Sequence, residues 1–343
     1  MSTRLELIDT ATASEVKLRR LHEFYIMRDT WDLPDDLPMP FKQRLVGWRY
    51  FGDGARRVPR WVLWDGDTVA ATSGVALENS EDNRENCWGF AYVHPDHRGQ
   101  GLSRLVISPM LDVAQEDGRT RIGTPIKDGD ESEGYAERAG LKPVILERRS
   151  RLVLAEVDRA LVASWIEQAS GRASDYELIF WEGAVPDEYL QAFCDVLGIM
   201  NTAPREHFEE EDFTMTPELW RAEEKGIEGR QITNYTYVAR HQPTGEFAGY
   251  TNVFYQRLHP LQAYQIDTGV DPDHREKGLG RWLKAAMLEV LLTEHPEVAQ
   301  IDTENAGSNE PMLNINIALG FKPVLETRTW QGDIATTRAN LGV

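Results

Sequence analysis

Hydrophobic and polar positions divide the chain into two stretches with one order of elements. Apolar runs at 60–64 and 69–76 flank Asp65-Gly66-Asp67, which predicts a β-hairpin closed by a tight turn. Runs at 235–240 and 247–255 flank a turn around Pro243-Thr244-Gly245 in the same way. A further strand follows in each stretch (88–93 and 264–270), then a glycine-containing turn, then a helix. The second of these helices carries Leu283, Ala286, Met287, Val290 and Leu291 on one side. A strand at 299–303, a helix at 310–319 and closing strands after Gly320 complete the second stretch. Hairpin strands leading into strand–turn–helix–strand–helix predict an α/β fold, with a central mixed sheet flanked by helices in each half.

The halves are also related in sequence. Val93-His94-Pro95-Asp96-His97-Arg98 recurs as Val270-Asp271-Pro272-Asp273-His274-Arg275, and Gly140-Leu141-Lys142-Pro143-Val144 recurs as Gly320-Phe321-Lys322-Pro323-Val324. Two matched signatures in the same order indicate a tandem repeat. The expected division is an N-terminal domain at 1–157, a linker helix and loop at 158–174, and a C-terminal domain at 175–343. Between them, Ala160, Leu161, Trp165 and Ile166 have helical spacing and 170–174 has loop composition. Within the second domain, Pro186-Asp187-Glu188 opens a helix that Gly198 ends.

Composition narrows the function. The 343 residues hold 37 Lys+Arg against 56 Asp+Glu, a net charge of −19. That balance argues against a nucleic-acid partner, which needs a basic face, and favours a neutral or cationic small substrate. Cys87 and Cys194 are too few for a disulfide framework or a cysteine zinc site. Histidines 94, 97, 259 and 274 fit capping and surface roles better than a metal site, so no metal is expected. No apolar run reaches the roughly 18 residues of a membrane span, and the first residues lack the apolar core of a signal peptide. The expectation is a cytoplasmic protein, monomer or homodimer, with no membrane partner.

Candidate chemistry centres on 270–281, where a strand ends, the chain turns and a helix begins near Gly280. Backbone N–H groups at a helix start lack intrahelical partners and lie at the positive end of its dipole. Gly278 and Gly280 allow an anion close to the backbone, and Arg275, Lys277 and Arg281 add charge. Such a turn can cradle a pyrophosphate. It has neither the Gly-Lys-Ser/Thr of a Walker loop nor the three glycines of a dinucleotide fold. The first half repeats it as Arg98-Gly99-Gln100-Gly101-Leu102-Ser103.

These residues resemble the signature of the GNAT superfamily of acetyl-CoA-dependent N-acetyltransferases, Gln/Arg-x-x-Gly-x-Gly/Ala. Arg275-Glu276-Lys277-Gly278-Leu279-Gly280 matches throughout, and the first copy departs only at Ser103. The family's later motif, an Asn seven residues before a Tyr with Gly-Phe four further on, is matched by Asn309, Gly320 and Phe321, with Asn316 in place of the tyrosine. The resemblance covers both halves and implies a tandem protein using acetyl-CoA. It implies that Arg275, Glu276, Lys277, Gly278, Leu279, Gly280 and Arg281 hold the pyrophosphate of coenzyme A. Gly269 and Val270 would pair with the pantetheine arm through their main chain, and Asn309 would contact that arm or cap its helix. The equivalent first-domain residues are Val93, Arg98, Gly99, Gln100, Gly101, Leu102 and Ser103.

Attack by a neutral amine on a thioester needs a proton acceptor and something to steady the departing thiolate. The resemblance implies a strand carboxylate and the later tyrosine for these roles. Here the usual strand position is Tyr264, the one strand carboxylate is Asp267, and Asn316 replaces the acid; these three are the catalytic candidates. The matching first-domain strand has no carboxylate, so catalysis is expected in the second domain. Glu209, Glu210 and Asp212, in an acidic stretch with Phe208 and Phe213 nearby, are candidates for holding a cationic amine, or else form a solvated loop. The expected activity is acetyl transfer to a primary amine of a small molecule. The alternatives are a non-catalytic acyl-CoA-binding protein, or acetylation of a peptide or protein amine.

Overall fold

A computed structural model describes residues 3–50, 56–79 and 81–343. They form two compact units. Unit 1 comprises Met1–Leu146, Glu206–Glu211 and Glu326–Val343; unit 2 comprises Glu147–Arg205 and Asp212–Leu325.

Unit 1 runs β1 (Thr3–Ile8), α1 (Glu15–Asp32), α2 (Phe41–Tyr50), β2 (Arg56–Arg57), β3 (Arg60–Asp65), β4 (Thr68–Glu78), β5 (Asn86–Val93), α3 (Leu102–Glu116), β6 (Arg121–Lys127), α4 (Ser132–Arg138) and the start of β7 (Lys142–Val153). Its strands lie in the order β1-β3-β4-β5-β6. The expected hairpin is β3–β4, whose turn places Gly66 at φ +60°. β5 and β6 are parallel neighbours from Asn86↔Arg121 to Trp88↔Gly123. Leu18, Leu21, Phe24 and Tyr25 of α1 pack on Val62, Trp64 and Val69. Val106, Met110 and Leu111 of α3 fill cores on the other face, with Leu63, Ala71, Cys87 and Ile122.

Unit 2 takes the end of β7, then α5 (Arg159–Arg172), β8 (Tyr176–Glu182), α6 (Leu190–Leu197), α7 (Pro217–Gly229), β9 (Ile232–His241), β10 (Phe247–Gln256), β11 (Gln262–Val270), α8 (Leu279–Glu294), β12 (Gln300–Ala306), α9 (Glu310–Leu319) and the start of β13 (Lys322–Asp333); α10 (Ile334–Leu341) lies in unit 1. Its strand order is β7-β12-β11-β10-β9-β8. The elements match the pattern-based expectation within a few residues, except near two boundaries. Asp158 caps α5 by accepting from the N–H groups of Ala160 and Leu161, and the helix runs on to Arg172, through the first part of the loop expected at 170–174. Gly198 keeps φ −58°, so the chain continues into a 3₁₀ turn, Gly198–Thr202, instead of stopping.

The closing strand of each sheet comes from the other repeat. Residues 147–153 of β7 pair antiparallel with β12 in unit 2, and residues 327–333 of β13 pair antiparallel with β6 in unit 1. Helix α5, expected as a linker, places Val162 and Trp165 in the unit 2 core with Met287, Leu288 and Leu291 of α8. The buried surface of α8, against which α5 packs, extends beyond the expected stripe to Lys284, Ala285, Leu288 and Leu292.

Candidate active site

The site of unit 2 starts where its sheet opens. β11 and β12 run parallel from Gln262↔Gln300 to Gln265↔Thr303, and among the described residues the ladder ends there. β11 continues on β10 alone, with Gly269 opposite Tyr250 and Val270 opposite Gly249. A bulge sets the break: Thr251 faces Thr268 and Val253 faces Gln265, leaving Asn252 opposite both Ile266 and Asp267. The Asn252 side chain holds this geometry by accepting from the Asp267 N–H at 2.9 Å. Gly269 must be glycine, since a Cβ there would lie 2.8 Å from Ile199 Cγ2.

From Val270 the chain enters the repeated turn. Asp271 accepts from the Asp273 N–H at 2.9 Å and so caps a single 3₁₀ turn, Pro272–His274. Glu276 (φ +66°) and Gly278 (φ +83°) then take left-handed conformations, and α8 begins at Leu279. Trp282 is the first residue to donate back along the helix, to the Gly278 carbonyl at 3.1 Å. The earlier N–H groups, including those of Leu279, Gly280 and Arg281, have no intrahelical acceptor. A Cβ built on Gly278 meets nothing within 4 Å, so the space before the turn is open. Gly280 packs closely on Ile315 of α9, with 3.3 Å from its notional Cβ to Cδ1. Left-handed residues in a turn just before a helix form an anion-binding concavity, and a pyrophosphate fits it.

The cations nearby have separate duties. Arg275 donates to the Val270 carbonyl at 3.2 Å and to Thr202 Oγ1 at 3.0 Å, tethering the turn. Lys277 lies over the Tyr176 ring and Arg281 over the Trp165 ring. The first unit repeats the backbone design: His94 Nδ1 accepts from the Asp96 N–H, and Gly99 (φ +75°) and Gly101 (φ +74°) precede Leu102 of α3. Val93 ends β5, Gln100 lies between the two glycines, Ser103 stands in the first turn of α3, and Arg98 pairs with Glu131 at 2.6 Å.

Asp267 stands at the opening of the sheet. Burial pushes its carboxyl up from the usual aspartate value, and a hydrogen bond from the Tyr250 hydroxyl at 3.2 Å offsets part of that shift. Tyr250 is wholly buried, and burial together with the Asp267 charge raises its own pKa. The sequence pattern did not single out Tyr250, because its partnership with Asp267 depends on the β10–β11 register. Tyr264 lies earlier on β11, opposite Phe254 and Asp302, ahead of the opening. Asn316 is buried, and its amide donates to Asn305 Oδ1 at 2.7 Å. Asn309 caps α9, accepting from the Met312 N–H at 3.4 Å.

Glu209 and Glu210 lie in unit 1, where Glu209 pairs with Arg121 at 3.1 Å; Asp212 lies in unit 2 and pairs with Arg205 at 2.7 Å. A groove of about 610 Å³ in unit 2, lined by residues that include Ile166, Leu178, Tyr237, Trp282 and Val290, contains neither Asp267 nor the turn. Among the described residues no helix is long and apolar enough to cross a membrane.

A mixed sheet that opens beside a left-handed turn and a helix start, present twice, defines a tandem acyltransferase fold. The chain belongs to the Acetyltransferase (GNAT) family, whose model matches residues 21–141 and 196–313; members of the family are acetyltransferases in general. The fold is similar to that of a tandem GNAT protein from the clavulanic acid biosynthesis pathway, with a TM-score of 0.76 and 23% identity over 97% of this chain and 99% of that one. It is also similar to a GCN5-related N-acetyltransferase from Sphaerobacter thermophilus, with a TM-score of 0.66 and 14% identity over 97% and 96% of the two chains. No curated protein matches the sequence.

Proposed function

We propose that unit 2 transfers an acetyl group from acetyl-CoA to a primary amine of a small, cationic molecule. The observation that carries this reading is the turn at 275–281, open in front of Gly278 and backed by the first N–H groups of α8. Those amides, with Lys277 and Arg281 beside them, suit the pyrophosphate, and the free edge of Gly269 and Val270 suits the amide groups of the pantetheine arm. When bound, acetyl-CoA supplies an activated thioester.

Asp267 is the proton acceptor in this proposal. A carboxylate whose pKa is raised by burial takes a proton from an ammonium more readily than an ordinary aspartate does, and while ionised it also attracts the cationic amine. The net charge of −19 favours the approach of such a substrate. The test is release of coenzyme A thiol with a panel of small amines, spermidine among them. Amine-dependent release that falls about 10²-fold or more in Asp267→Asn is expected. Absence of amine-dependent release, or an unimpaired variant, contradicts the proposal.

One observation favours a second reading. Asn316 replaces the family's tyrosine, and its amide group is engaged with Asn305. An amide supplies no proton at neutral pH, so a non-catalytic acyl-CoA-binding protein would show binding without thiol release.

A further inference from the structure

The α1 face of the unit 1 sheet gathers more positive charge than its carboxylates balance. Arg28 and Arg44 share the Asp29 carboxylate, with Arg44 Nη2 2.6 Å from it, and the Asp32 carboxylate also acts on Arg28, which leaves three guanidiniums, with Arg60, against two carboxylates. Arg60 has no carboxylate partner among the described residues: one Nη donates to the Tyr25 hydroxyl, while Nε is sealed from water without an acceptor.

The sheet is shaped to hold these groups. Arg60, Gly74 and Phe90 lie in register across β3, β4 and β5. A Cβ on Gly74 would come within 2.4 Å of Phe90 Cζ, so the glycine lets Phe90 lie across β4. The Arg60 guanidinium then sits 4.7 Å from the Phe90 ring centre, and the Phe90 and Tyr92 rings stack at 5.9 Å. Arg28 lies 4.6 Å from the Tyr92 centroid and 4.8 Å from that of Tyr25. Aromatic faces stabilise a guanidinium on its flat sides, but its N–H groups point outward in its own plane and need acceptors. Arg28, Arg60, Phe90 and Tyr92 all retain partial exposure.

We propose that this face binds a small organic carboxylate with a flat apolar body. The carboxylate accepts from the Arg60 Nη group that is not bonded to Tyr25, with the Arg28 guanidinium beside it, and the body lies against Phe90 and Tyr92. The forked donors of arginine match the planar carboxylate. Unit 1, whose β5 carries no carboxylate for catalysis, would thus recognise a ligand of opposite charge to the amine proposed for unit 2.

The probe is benzoate, titrated calorimetrically into the full chain, with benzamide and inorganic phosphate as comparisons. Benzoate is expected to bind about one per chain and more tightly than either comparison. Arg60→Met, which keeps the apolar stem and removes the charge, is expected to weaken it at least tenfold, and Arg60→Lys severalfold. A melting curve without ligand reports whether each variant folds; if neither does, the comparison of benzoate with benzamide in the wild type decides. Benzoate binding no tighter than benzamide, phosphate binding tighter than benzoate, or wild-type affinity in a folded Arg60 variant overturns the proposal.

Discussion

The hydroxyl of Tyr250 donates to the carboxylate of Asp267 across neighbouring strands, at 3.2 Å, where the unit 2 sheet opens. This bond stabilises the ionised form of Asp267 while burial disfavours it. Tyr250→Phe removes the opposing influence, so the Asp267 pKa rises further. The acid limb of the kcat/KM profile against pH is expected to move upward in the variant, with little change on the alkaline side. An unmoved acid limb would mean that Asp267 is not the titrating base.

Lys284 is 3% exposed, and no carboxylate pairs with it among the described residues; its ammonium lies 5.6 Å from the Phe321 ring centre. Burial pushes its pKa down to about 7 from 10.5. The unfolded chain therefore binds more protons than the folded one between these values, so this group makes stability rise with pH across that interval. Lys284→Met is expected to raise stability at neutral pH, by an amount on the order of a few kcal/mol, and to flatten the rise. Chemical denaturation at pH 7 and pH 9 checks both.

Glu276 occupies a left-handed conformation that unit 1 gives to Gly99. Such a conformation costs a side-chain-bearing residue on the order of 1 kcal/mol, and the carboxylate also stands at the anion-binding turn. Glu276→Gly is expected to leave thermal stability unchanged or slightly higher and to tighten acetyl-CoA binding. Weaker binding in calorimetry would contradict this assignment of the turn.

Asp302 is 1% exposed and accepts from both Arg149 and Arg151, the latter at 2.7 Å. It joins β12 to the part of β7 recruited into unit 2. Removing one member of a buried ionic group is strongly destabilising, so Asp302→Asn is expected to lower unfolding free energy by about 3 kcal/mol. Urea denaturation measures it.

The turns and helices were legible because their determinants are local: Asp65-Gly66-Asp67 makes its own hairpin, and Asp271-Pro272 with Gly278 shapes its own turn. The Tyr250–Asp267 bond was not, because it requires the β10–β11 register and the bulge at Asn252. Lys284 reads as a polar interruption of an amphipathic helix; its place beside the Phe321 ring depends on how the start of β13 packs against α8. The exchange of closing strands was equally hidden, since residues 147–153 and 327–333 find their partners far away along the chain. Of the acidic candidates, Glu209 and Asp212 are matched by Arg121 and Arg205, neither of which the charge pattern marked as a partner.

The most direct measurement is a calorimetric titration of acetyl-CoA into the wild-type chain and into Gly278→Glu. The neighbouring Glu276 shows that this turn admits a side chain in a left-handed position, while a carboxylate at Gly278 would enter the space in front of the first α8 amides. Micromolar binding near one per chain, weakened at least tenfold in the variant, is the expected result. No binding by the wild type, or equal binding by both, would contradict the assignment of the unit 2 turn as the coenzyme site.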